Sequence, residues 1–157
     1  MSTTVTSYSY EQLEVGQSAS VERTITEQDI LMFAAVSGDC NPVHLDEQFA
    51  ANSRFKERIA HGMLSGALIS AAIALELPGP GSVYLGQQLS FARPVKIGDT
   101  LTIKLEVLEK LPKGQVRIAT NIYNQADKAV VQGEASVLAP ASSEQVELPQ
   151  LPTFKQV

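Results

Sequence analysis

Residues 63–77 read MLSGALISAAIALEL, an apolar run interrupted only by Ser65, Ser70 and Glu76. It falls short of the roughly 20 residues that a bilayer span requires. It is also too uniformly apolar for a surface helix, which turns a polar stripe to water. A helix over 63–75 must therefore be enclosed on most of its sides. Within it Gly66, Ser70 and Ala74 recur every fourth residue and form a thin stripe, while Leu64, Leu68 and Leu75 form a bulkier one. A thin stripe lets another backbone approach closely. The helix must stop at LPGPG, residues 77–81, because Pro78 and Pro80 cannot continue the hydrogen-bond ladder.

Beyond this stop the chain has the period of strands. Residues 82–92 form one strand, and TLTIKLEVLEKL alternates with Leu101, Ile103, Leu105 and Val107 on one face. Val116, Ile118 and Ile122 repeat the pattern, and 129–138 supply a last strand. Turns fall at RPVKIGD, LPKG and NQADK, and such short connections favour an antiparallel meander. Before the apolar helix, 17–25 alternate loosely as a strand. Thr26 and Asp29 have the spacing of a capping box for a helix ending near Ser37–Gly38. Asp46 can cap a short helix in which Phe49 points to the core. The fold class is thus α+β, an antiparallel sheet wrapped around one long central apolar helix. One copy leaves a sheet edge and the thin stripe poorly covered, which favours pairing with an identical unit as a homodimer.

At 157 residues the chain suits one domain, expected over 1–139, with 140–157 an extended or mobile tail. The net charge of −5 argues against a nucleic acid partner. The single cysteine makes no internal disulfide, and the first residues lack the pattern of a secretory signal, so a cytoplasmic location with no membrane association is expected.

Both histidines and the cysteine fall in SGDCNPVHLDEQFAANSRFKERIAHG, residues 37–62. Pro42 fixes its own φ and pushes Asn41 out of the helical region, so Asp39 and His44 can come to one side of a tight turn. A carboxylate and an imidazole converging on one water are a minimal general acid–base device. The same residues also suit a rigid capped loop with no chemistry. A metal site from Asp39, Cys40, His44 and His61 matches no familiar zinc spacing. A serine hydrolase is disfavoured, since Ser65 lies in MLSGA and lacks the G-x-S-x-G elbow. Gly62 stands where the apolar helix begins, so its N–H is an unpaired donor that a ligand oxygen could approach.

SGDCNPVH, with the small Ala50 six residues beyond the histidine, resembles the signature of the MaoC-like hydratases. The similarity continues through RIAHGMLSGALIS and LGQQLSFARPVKIGD, over roughly residues 12–138, and is nearest to the single-domain (R)-specific enoyl-CoA hydratases. The resemblance implies a homodimeric hotdog fold and syn hydration of trans-2-enoyl-CoA to (R)-3-hydroxyacyl-CoA, a supply of polyhydroxyalkanoate monomers from β-oxidation. It implies a dyad of Asp39 and His44, an oxyanion donor at the Gly62 amide, and Asn41 and Ser70 hydrogen-bonded to the dyad. The reaction requires no metal or redox cofactor. Rival readings are a dehydratase acting on acyl-carrier protein and a non-catalytic acyl-CoA sensor. Ile69 and Ile73 are candidate walls of the acyl pocket. The CoA phosphates need local positive charge, for which Arg54, Lys56 and Arg58 form one candidate cluster and Arg93 and Lys96 a second.

Overall fold

The computed structural model describes residues 3–155. Residues 1–2 and 156–157, within the bounds expected for domain and tail, lie outside the described residues. The strands are β1 (Thr3–Thr6), β2 (Ser18–Thr24), β3 (Val83–Phe91), β4 (Thr100–Leu111), β5 (Gln115–Tyr123), β6 (Ala129–Leu138) and β7 (Gln145–Leu148). The helices are α1 (Glu27–Ser37), α2 (Pro42–Leu45), α3 (Glu47–Asn52) and α4 (Gly62–Leu75).

Five strands form one antiparallel sheet in the order β2-β4-β5-β6-β3. The expected meander holds for β4, β5 and β6. It fails for β3, which lies across the sheet beside β6 rather than next to β4. The alternation of β4 turns Leu101, Ile103, Leu105 and Val107 inward, where they meet Val116, Ile118 and Ile122 of β5 and Ile69 and Ile73 of α4. Burying each of these side chains contributes about 1.5–3 kcal/mol, which fixes the register, since a slip of one residue would turn the whole set outward.

α4 does not meet the expectation of enclosure. Ser65, Ile69, Ala72 and Ile73 are buried against the sheet, but Met63, Ala67, Ser70, Ala71 and Ala74 are exposed. One sheet curves around one side of a helix and no further. The thin stripe packs closely at Gly66, where an added Cβ would stand 3.3 Å from Leu89 of β3, and lies open at Ser70 and Ala74.

α1 is capped as its sequence predicts. Thr26 Oγ1 accepts from Asp29 N–H at 3.2 Å and Asp29 Oδ2 accepts from Thr26 N–H at 2.8 Å. Burial alone would raise the Asp29 pKa, but hydrogen bonds from Thr26 and Arg23 and the Arg23 charge outweigh it and hold the carboxyl below its usual range. Asp46 caps α3, yet Phe49 is exposed and the fully buried residue is its neighbour Ala50. The tail is not free over its whole length: β7 pairs with β1 in a separate two-stranded ribbon, Thr3 opposite Leu148.

Candidate active site

Gly38 ends α1 in the left-handed region, φ 76°, and donates its N–H to Ala34 O. That conformation favours glycine and turns the chain sharply back. Asn41 then caps α2, its side-chain oxygen accepting from Val43 N–H at 3.2 Å, with Pro42 at the first helical position, where a missing N–H costs nothing. The one-turn helix carries His44 inward to 8% exposure, while Asp39 stays exposed on the turn before it.

Asn41 joins the two through its backbone. Its N–H donates to Asp39 Oδ1 at 3.1 Å and its carbonyl accepts from His44 N–H at 3.0 Å. Asn41 is thus hydrogen-bonded to Asp39 as expected, through its main chain, while its side-chain oxygen caps α2.

The returning segment after α3 holds the histidine from the other side. His44 Nδ1 lies 2.8 Å from Ile59 O, and a carbonyl only accepts, so Nδ1 carries a proton and Nε2 is the nitrogen left to face a ligand. Arg58 Nε donates to His44 O at 2.7 Å, and Arg58 Nη1 reaches Glu27 Oε1 at 2.6 Å at the start of α1. His61 stacks on His44 with ring centroids 3.8 Å apart, and its Nε2 lies 2.9 Å from Asp39 O. One ligand-type atom from each of Asp39, His44 and His61 falls within 4.8 Å of the others. A carboxylate oxygen of Asp39 and a ring nitrogen of His44 are thus no more than 4.8 Å apart. Three of the four residues weighed as a metal site thus converge while Cys40 is exposed, one ligand short of a closed four-coordinate site among the described residues.

A cavity of about 410 Å³ opens beside this cluster, bordered by His44, His61, Gly62, Ser65, Arg54 and Arg93. Gly62 is the first residue of α4, and among the described residues its N–H makes no hydrogen bond. A Cβ there would stand 3.2 Å from the Phe91 ring, so any side chain would press that ring outward by a few tenths of an ångström.

Several expected positions fall elsewhere. Ser70 is exposed on the open face of α4 and makes no hydrogen bond to Asp39 or His44 within this chain; the serine at the cavity is Ser65. Ile69 and Ile73 are fully buried in the core, not on this cavity, because they face the sheet. The basic residues regroup. Arg58 is buried and engaged with His44 and Glu27, so it is not part of an exposed phosphate cluster. Lys96 pairs with Glu57, and Lys56 borders a different recess with Glu57 and Ile97. Arg54 and Arg93, one from each predicted cluster, border the same cavity. The holding role of Arg58, Ile59 and His61 is not legible along the chain. Its one signal is an arginine followed by Ile-Ala, charge set directly against apolar residues.

An antiparallel sheet curved against a central helix, with the loop of Asp39 and His44 packed near that helix's N-terminus, is the hotdog architecture. Residues 11–129 match the family described as MaoC like domain, and the chain belongs to that family. It is 46% identical over 132 residues to an (R)-specific enoyl-CoA hydratase of Rhodospirillum rubrum, covering 84% of this chain and 92% of the relative. The unliganded structure of the R-hydratase PhaJ1 from Pseudomonas aeruginosa is 60% identical, covers 99% of this chain and 100% of that one, and superposes with a TM-score of 0.95. An (R)-hydratase from Aeromonas caviae involved in PHA biosynthesis is 43% identical with a TM-score of 0.80, covering 83% of this chain and 99% of that one. Among the described residues no helix is long and apolar enough to cross a membrane.

Proposed function

We propose that this chain is an (R)-specific enoyl-CoA hydratase, a hydro-lyase that adds water across trans-2-enoyl-CoA to give (R)-3-hydroxyacyl-CoA. The observation that carries the reading is the convergence of the Asp39 carboxylate and the His44 ring within 4.8 Å, with Nδ1 of His44 held by Ile59 O and with His44 and Gly62 bordering one cavity.

A water donating one O–H to His44 Nε2 and the other to Asp39 turns its oxygen lone pair to C3 of the substrate. As the C3–O bond forms, the dyad takes one of the water's protons and delivers it to C2 on the same face, so one water supplies both added groups. Charge that develops on the thioester oxygen is met by the Gly62 N–H. Loss of such a donor costs about 3 kcal/mol, and loss of a positioned acid–base group about 10²–10⁴ in rate. Arg54 and Arg93 border the cavity, and in this reading they meet the CoA phosphates.

The working unit in this reading is a homodimer. β3 is an edge strand with Val83, Leu85 and Phe91 exposed, and it adjoins the open apolar face of α4. Such an edge and face are covered together by a second copy. Residues 1–139 form the hydratase domain and 140–157 an extension. The product is the monomer class of polyhydroxyalkanoate, fed from enoyl-CoA intermediates of β-oxidation in the cytoplasm.

Purified protein mixed with crotonyl-CoA should erase the ultraviolet absorbance of the conjugated thioester and release only the (R)-alcohol, and Asp39→Asn should stop this without loss of fold. Turnover retained in Asp39→Asn would remove the carboxylate from its role, and faster turnover of acyl-carrier-protein thioesters would move the substrate class away from CoA.

A further inference from the structure

His61 takes no part in the hydration steps, yet it touches three components of the site. Its Nε2–H donates to the Asp39 carbonyl at 2.9 Å. Its ring is stacked on His44 at 3.8 Å and 29°, and packs tilted against Phe33 at 5.0 Å. Its backbone is the N-cap immediately before Gly62.

Neither capping nor packing explains an imidazole here. The His61 side chain makes no cap hydrogen bond to α4, a role suited to Ser, Thr, Asp or Asn. At 2% exposure its Nδ1 is buried with no hydrogen-bond partner among the described residues. A phenyl ring would fill the same space without orphaning a polar atom.

The function it can serve is geometric. The bond from His44 Nδ1 to Ile59 O holds one edge of that ring, and only small tilts that move Nε2 remain. A flat neighbour against its face removes the remaining freedom. The donor on the same neighbour pins the Asp39 carbonyl, and so the point from which the carboxylate projects. We infer that His61 is a positioning residue, whose stacked ring and Nε2–H together aim His44 Nε2 and the Asp39 carboxylate at one water. The inference rests on the hydratase reading.

Three variants separate its parts. His61→Phe keeps a stacking ring and removes both the donor and the orphaned nitrogen. His61→Gln keeps a donor at the reach of Nε2 and removes the ring. His61→Ala removes both. With crotonyl-CoA, kcat should fall about tenfold in each of the first two and about 10²-fold in the third, the scale of a small misplacement of catalytic groups. KM should stay within about threefold of the parent, and the melting temperature of His61→Phe should equal or exceed it. Nitrogen NMR of the His44 ring should show one sharp Nε2 resonance in the parent and a broadened one in His61→Ala. Parental kcat in His61→Ala, or a fall in kcat in His61→Phe matched by lost thermal stability, would overturn the inference. A parent that hydrates no enoyl-CoA would instead defeat the hydratase reading, and the ring spectrum alone would then decide whether His61 orders His44.

Discussion

The layer between α4 and the sheet and the segment Arg58–His61 bury their side chains to similar depth and follow opposite rules. In the layer, Ile69, Ile73, Ile103 and Ile118 are each at most 1% exposed, and the one polar side chain buried among the strands, Thr120, is hydrogen-bonded to Gln87 at 2.9 Å. In the segment, Arg58 and His61 are also at least nine-tenths buried, and they hold both partnerless buried side-chain atoms found among the described residues, Arg58 Nη2 and His61 Nδ1. An unmet buried donor or acceptor costs about 1–3 kcal/mol. The layer is arranged for packing. The segment accepts a cost in stability to hold a turn that the core does not reach.

Substitutions can break the two apart. The largest expected effect is in the reactive corner: His44→Asn keeps a donor near Nδ1 for Ile59 O, removes Nε2, and should lower kcat for crotonyl-CoA by about 10²–10⁴ while the chemical-denaturation midpoint stays put. Ile118→Ala should do the reverse. A buried Ile→Ala costs about 2–5 kcal/mol, read as a lower urea midpoint, while turnover per folded molecule at low temperature is unchanged. If Ile118→Ala lowers kcat as much as His44→Asn does, the two regions are not separable. The smallest effect lies at the α1 cap, which belongs to neither. The Asp29 pKa is lower folded than unfolded, so its contribution is present above the usual value of 3.8 and is lost as pH falls through the folded value. Acid titration of stability should therefore show a shallower decline below pH about 4 in Thr26→Ala than in the parent, together with a loss of about 1 kcal/mol at neutral pH.

Where sequence and structure agree, the signal is local. The period of two in β4, the Thr26–Asp29 box and the Pro42 turn all act within a few residues, and each appears as its chemistry requires. SGDCNPVH likewise brought Asp39 and His44 together, since a turn that short leaves them nowhere else to go. The misses are all matters of what lies opposite. Phe49 follows helical spacing, but its face of α3 has no neighbour, and Ala50 takes the buried place. Ser70 and the exposed side of α4 depend on how far a sheet can curve. Arg58 reads as one of three nearby cations, and only its distant partner Glu27 at the start of α1 makes it an internal strut. No period along the chain encodes such a meeting.

The small ribbon of β1 and β7 joins segments whose hydrogen-bonded residues, such as Ser143 and Ser7, stand 136 positions apart. Two four-residue strands supply too few bonds to offset the closure of so long a loop. Its pairing therefore depends on the folded domain bringing both ends within reach, where the buried Ser7 exchanges hydrogen bonds with Glu144.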